Sequence, residues 1–202
     1  MAIGLFAQQQ DLDLQYATEL LKPGTSAPDF TLTDIGGNSV SLKDFRGRKV
    51  VLVFWASWCP DCRAEVPALK ELQAKSDPRK VAFVAVSFDR TKEAWEKYVN
   101  DNEMTGVQLF ESAPRKESFV NDAYYVKWIP SLYLIDEKGK VALSTVVLES
   151  GKGIEQQVVY DKESYPPGSR IGGRRLCVPR RQHPFCFASV PFSGRQADLL
   201  QL

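Results

Sequence analysis

The stretch Val50 to Pro67, VVLVFWASWCPDCRAEVP, constrains the fold more than any other part of the chain. Val50 to Trp55 is an apolar run rich in β-branched and aromatic residues, the pattern of a buried strand. The chain then passes through Ala56, Ser57 and Trp58 into Cys59-Pro60-Asp61-Cys62. Beyond it, Val66, Leu69 and Leu72 recur at the spacing of one helical face. A strand thus delivers two cysteines to the first turn of a helix. The unpaired N–H groups and positive dipole end there favour a thiolate over a thiol. Two intervening residues put both sulfurs within reach of one disulfide, with the first expected to be more exposed and the second tucked behind it.

The remaining composition narrows the chemistry. A net charge of +1 over 202 residues gives no electrostatic reason to expect nucleic acid or a membrane surface as partner. Four cysteines (Cys59, Cys62, Cys177 and Cys186) are too few for a disulfide scaffold at this length. The single histidine is His183, so a Cys-His nucleophile pair between Val50 and Ser150 is excluded. No segment approaches the roughly 18 apolar residues of a membrane span. Ala2 to Ala7 is apolar but short for a secretory core and has no basic residue before it. It reads either as the remnant of a trimmed leader or as an unordered start.

Other elements follow in order. Leu12, Tyr16, Leu20 and Leu21 suit a short helix over Asp11 to Leu21, stopped by Pro23-Gly24. Ala27 to Leu32 alternates, Gly36-Gly37 marks a hairpin turn, and Val40 and Leu42 resume the alternation. Lys43 to Gly47 looks like a short turn. Val81 to Phe88 reads as a second buried strand, and Thr91 as the cap of a helix Lys92 to Asn100 that turns Ala94, Trp95 and Tyr98 toward the sheet. Val107 to Phe110 suits a short strand, and Lys116 to Tyr125 a helix. Leu132 to Ile135 and Val141 to Val147 read as strands joined by the turn Asp136 to Gly139. This order predicts an α/β fold with a central mixed sheet.

Beyond Gly151 the character changes. Ile154 to Tyr160 offers only a thin apolar face, and from Pro166 onward Arg replaces Lys among recurrent prolines. Such a stretch buries little and predicts poor order, with a basic docking segment as the competing reading. The expected organisation is an extension over residues 1–23, a domain over 24–151 and an Arg/Pro-rich tail over 152–202. Cys177 and Cys186 either pair under oxidising conditions or remain simple thiols, and adding His183 gives no recognised metal-ligand spacing.

Cys59-Pro60-Asp61-Cys62 suits three chemistries. Half of a zinc site needs two more ligands, and a copper carrier wants a histidine, neither of which the domain offers. A dithiol/disulfide couple needs only the strand and helix already present, with no metal and no cofactor beyond that disulfide.

Phe54 to Cys62 resembles the active site of the thioredoxin superfamily, and Pro67, five residues past Cys62, matches its helix-kinking proline. Val126-Lys127-Trp128-Ile129-Pro130-Ser131-Leu132 resembles the segment carrying its cis-proline. Gly24 to Leu32 and Arg63-Ala64-Glu65-Val66-Pro67 resemble a narrower group, the extracytoplasmic thiol-disulfide oxidoreductases of the TlpA/ResA type, related to the AhpC/TSA redoxins. The likeness runs from about Gly24 to Val147. It implies a thioredoxin fold with an N-terminal hairpin, a nucleophilic Cys59 and a resolving Cys62. It also implies a substrate surface of Trp58, Pro60, Trp128, Ile129 and Pro130, with Pro130 in the cis form. The implied partners are a protein disulfide and an upstream thiol electron donor, a membrane-bound donor being one option. The implied location is the periplasm or another extracytoplasmic space, with the cytoplasm as the alternative. Reduction of apocytochrome cysteines or of other envelope proteins belongs to the same expectation.

Departures matter too. Thioredoxin carries a buried aspartate in this strand where Val53 stands here, so a base for the Cys62 proton must come from elsewhere. Glu65 shares a helical face with Cys62 and is the candidate, a solvated helix glutamate being the alternative. A peroxiredoxin's proline and threonine correspond to Leu52 and Ala56. Asp61 beside Cys59 disfavours its thiolate, so the disulfide stays comparatively stable and the couple is expected to act as a reductant. A non-catalytic binding adaptor and a metal-transfer protein using Cys59 and Cys62 are the competing functions.

Overall fold

The computed structural model describes residues 16–146, 148, 152–159, 170–171 and 174–175. Seven strands form one sheet: β1 (Thr31–Asp34), β2 (Ser39–Ser41), β3 (Lys49–Trp55), β4 (Val81–Ser87), β5 (Val107–Phe110), β6 (Ser131–Ile135) and β7 (Val141–Thr145). Their order is β2-β1-β5-β4-β3-β6-β7. β3 runs parallel to β4 and β4 to β5, whereas β6, β7, β1 and β2 join antiparallel. The helices are α1 (Pro60–Lys75), α2 (Lys92–Asp101), α3 (Phe119–Ala123) and α4 (Lys152–Val158). This is the expected mixed sheet with its N-terminal hairpin, the thioredoxin fold.

β3 occupies the middle because every residue from Val50 to Trp55 is buried, which only a strand covered on both faces tolerates. Its alternation sorts the core. Val53 and Trp55 face α1, where Val53, Phe83 and Ala85 line one cavity with Val66 and Leu69. Phe54 enters an aromatic cluster with Phe88, Tyr124 and Tyr133 at centroid distances of 5.9, 5.1 and 6.1 Å. Tyr124 donates to Pro28 O at 2.7 Å, Tyr133 donates to Tyr124 O at 2.5 Å, and Leu21 N donates to Tyr133 Oη at 3.2 Å. Burial pushes both phenols well above their ordinary range. These bonds tie the start of the domain to the segment that leads into Ile129 and Pro130.

Several boundaries differ from the sequence expectation. Of the helix expected over Asp11 to Leu21, residues 11–15 lie outside the described residues; over residues 16–21 only Tyr16 is helical and the chain turns instead, with Leu20 buried. In α2, capped by Thr91 Oγ1 accepting from Ala94 N at 3.2 Å, Ala94 is exposed and the buried face is Trp95 and Val99. Trp95 stacks on Phe110 at 5.4 Å, and that large contact sets the rotation of the helix. The helix expected over Lys116 to Tyr125 is split into a 3-10 turn, Arg115–Glu117, and α3. Ser118 breaks it by capping Asn121 N at 3.2 Å while donating to Glu111 Oε2 at 2.6 Å. In the stretch expected to lack order, β8 (Arg170–Ile171) and β9 (Arg174–Arg175) pair antiparallel and belong to a separate unit. Cys177, His183 and Cys186 lie outside the described residues.

Gly106 precedes β5 at φ +80°, and a Cβ there would meet Phe83 O at 2.8 Å. Gly106→Ala is expected to destabilise the fold by about 2 kcal/mol, read from urea unfolding.

Candidate active site

The parallel pairing of β3 and β4 brings Trp55 opposite Ser87, so the segments that leave their carboxyl ends lie side by side. Open α/β sheets place their sites there. Phe88 N donates to Trp55 O at 2.9 Å, prolonging the ladder by one bond. Asp89, only 6% exposed, then accepts from Ser57 N at 3.1 Å, from Ser57 Oγ at 2.6 Å and from Ser87 Oγ at 2.7 Å. A buried carboxylate with three donors is held firmly, and here it clamps the turn that presents Cys59.

α1 begins with Pro60 at its first position, where a missing N–H costs nothing. Cys59 is its N-cap: Sγ accepts from Cys62 N at 3.2 Å, the bond a serine cap would make. Cys59 Sγ also donates to Ile129 O at 3.5 Å, and the Ile129–Pro130 peptide is cis. The contrast in exposure expected between the cysteines is slight. Cys59 is 5% and Cys62 3% exposed, both as free thiols. Packing of Ile129 against Cys59 closes the face that the sequence left open. Burial, then hydrogen bonding with Cys59, pushes the Cys62 thiol far above its ordinary value, and Asp61 adds a smaller effect in the same direction.

Behind Cys62 lies a cavity of about 20 Å³ (the volume open to the centre of a water molecule), lined by Val53, Trp55, Glu65, Met104 and Pro130 among others. One Glu65 carboxylate oxygen is shut off from solvent. The structure therefore brings Glu65, Cys62 and Pro130 to one cavity, with apolar Val53 where the aspartate of thioredoxin would stand. In front of Cys59, Trp58 is 53% and Trp128 40% exposed, and Pro60 is also exposed. Trp128 is not a bare wall, since Tyr16 stacks on it at 4.4 Å.

Sequence reasoning missed Asp89, Arg115 and Tyr16. Asp89 was within reach of the rule about carboxyl ends of parallel strands, since it follows the strand Val81 to Phe88. Arg115 donates to Asn121 Oδ1 at 3.1 Å and to Val126 O at 2.8 Å, and sits 6.0 Å from the Phe88 ring centre. Half-burial lowers its pKa from the usual guanidinium value, while the sulfurs of Cys62 and Cys59 oppose that shift. A positive charge thus lies within Coulombic range of both cysteines.

The sequence model of the AhpC/TSA family matches residues 23–144. The chain belongs to the AhpC/TSA family. It is 38% identical to the thioredoxin-like protein YneN of Bacillus subtilis over 70% of this chain and 81% of that one. It is 35% identical to the thiol-disulfide oxidoreductase ResA of Bacillus thuringiensis over 61% and 69% of the two chains. The thioredoxin domain of a thiol-disulfide oxidoreductase from Bacteroides vulgatus superposes with a TM-score of 0.62 at 30% identity, covering 68% of this chain and 99% of that one. With family, fold and dithiol together, this AhpC/TSA member is an oxidoreductase of the thiol-disulfide class.

The raised Cys62 thiol has a consequence for stability. The folded state holds that proton more tightly than the unfolded chain, so its contribution is complete below the ordinary thiol value of about 9 and fades above it. The reduced protein is expected to lose unfolding free energy as pH rises past about 9, and Cys62→Ser to lose less. Urea titrations at a series of pH values check this.

Proposed function

We propose that this thiol-disulfide oxidoreductase works as a reductant of protein disulfides, with Cys59 as nucleophile and Cys62 as resolving thiol. The supporting observation is the placement of the two sulfurs. Cys59 caps the helix against the Ile129 carbonyl, and Cys62 sits behind it with its proton tightly held. A Cys62 thiol that resists ionisation lends the reduced form little extra stability, so the couple readily passes its electrons on.

The Cys59 thiolate attacks one sulfur of the client disulfide. The client S–S bond breaks, its second sulfur leaves as a thiolate and takes up a proton, and a mixed disulfide remains. Cys62 then loses its proton and attacks Cys59 Sγ, releasing the other client thiol and forming the Cys59–Cys62 disulfide. The client gains two electrons and the protein loses two, which an upstream dithiol donor must return. Trp58, Pro60, Trp128, Ile129 and Pro130 would contact the client, with the Ile129 backbone offering an added-strand contact. Glu65, at the same cavity as Cys62, would take up its proton. Likeness to the extracytoplasmic TlpA/ResA reductases supports an extracytoplasmic location, with apocytochrome thiols among candidate clients and a membrane-bound dithiol among candidate donors. No helix among the described residues is long and apolar enough to cross a membrane.

The Cys59–Cys62 potential tests direction. A value near the roughly −270 mV of thioredoxin is expected, and one near the roughly −120 mV of DsbA would reverse the assignment. Cys62→Ser should accumulate a mixed disulfide through Cys59, seen as a mass increase equal to the client, whereas Cys59→Ser should give none. Glu65→Gln should slow resolution by about 100-fold near neutral pH and change the pH profile of that step in stopped-flow measurements. An unaltered profile removes Glu65 from the mechanism.

A further inference from the structure

α3 ends in a Schellman turn. Val126 N donates to Asn121 O at 2.9 Å and Tyr125 N donates to Asp122 O at 3.1 Å, with Tyr125 at φ +52°. The residue after the cap in this motif is ordinarily glycine, because a Cβ is disfavoured in the left-handed region. Here it is a tyrosine. Its neighbours Tyr124 and Val126 are buried, while Tyr125 is 51% exposed. Its side chain makes no hydrogen bond, ion pair or ring contact with another described residue, so the fold gains little from an aromatic ring at a strained position.

Tyr125 stands in the connection between α3 and β6, the one that carries Ile129 and Pro130. Tyr125 is four residues before Ile129, whose carbonyl meets Cys59 Sγ, a separation of at most about 14 Å. Arg115 holds the carbonyl of the adjacent Val126 and feels both cysteine sulfurs. In the same connection Trp128 is exposed, as is Trp58, which precedes Cys59 in the chain. The charges that neighbour Cys59 and Tyr125 in the chain (Asp61, Arg63, Asp122 and Lys127) are of both signs. Selection by overall charge is therefore weak on this surface, and apolar contact is the available means of discrimination.

We propose that Tyr125 is a specificity-determining residue, continuing the Trp58–Trp128 rim so that it binds an apolar side chain within about four residues of the client's disulfide. The occupant is an extended polypeptide segment that enters along Ile129; a small disulfide reaches the sulfur without touching Tyr125. This rests on the reductant reading above. A tyrosine suits the task because its large amphipathic ring is ordered at small entropic cost.

The test compares the full chain with Tyr125→Gly and Tyr125→Phe, using dithiothreitol as donor and two substrates, insulin and bis(2-hydroxyethyl) disulfide. For Tyr125→Gly, the ratio of kcat/KM on insulin to that on the small disulfide is expected to fall about fivefold or more through KM, while Tyr125→Phe keeps the ratio within about twofold. The thermal midpoint of Tyr125→Gly should rise, since glycine relieves the backbone. An unchanged ratio overturns the proposal, as does an equal fall on both substrates or a lowered midpoint, either of which would mark a structural ring. Wild-type protein that reduces neither substrate overturns the reductant reading instead, and this proposal with it.

Discussion

The parallel pairing of β3 with β4 is the constraint on which the site depends. In register from Lys49↔Val81 to Trp55↔Ser87, it makes two loops leave the sheet at the same level. One loop carries the cysteines and the other carries Asp89. Neither loop holds its shape from local sequence alone. Ser57 needs a carboxylate 32 residues away to satisfy its N–H and hydroxyl, and Asp89 needs Ser57 and Ser87 to be tolerated as a buried acid. A one-residue slip of β4 would exchange its two buried faces and separate these partners together.

The antiparallel strand β6 does the complementary work on the other flank of β3. Its pairing, Phe54↔Ser131 through Val50↔Ile135, sets Ile129 and Pro130 beside the start of α1. Ser131 Oγ donates to Trp128 O at 2.7 Å, steadying the approach to the cis peptide. The sulfur of Cys59 is therefore framed by three strands, each contributing the residues just beyond its own end. Buried tyrosines hold the same segment from behind. Rigidity is thus supplied by the sheet and its aromatic core, and the chemistry sits on short connections emerging from it.

Much of this was legible in the chain. The apolar run before the cysteines and the change of periodicity after them are local signals that produced their elements within a residue or two; the glycines of the first hairpin marked its turn, although its first strand starts at Thr31 rather than Ala27. What escaped depends on distant partners. The helix expected through Ser118 is broken because Ser118 bonds Glu111, and no periodicity records that contact. The spacing puts Ala94 on the buried face of α2, yet the stack of Trp95 on Phe110 turns Ala94 outward. Around the dithiol, the motif named the sulfurs and the proline, but the supporting carboxylate at Asp89 and the guanidinium at Arg115 come from segments that carry no motif. The modest difference in exposure between the cysteines also followed from packing, since Ile129 closes over Cys59 only when β6 is in place.

The stack of Tyr16 on Trp128 carries a different lesson. The family motifs begin near Gly24, and a boundary drawn there would discard the residues before it as a leader or spacer. Yet one ring from that stretch backs an indole one residue away from Ile129. Leu20 is sunk in the core, and Leu21 is bonded to Tyr133 and Ser144. The upstream arm is therefore masonry of the segment that carries Ile129 and Pro130. Trimming it, or fusing a tag close to Tyr16, would reshape the surface around Trp128 while leaving every motif residue intact.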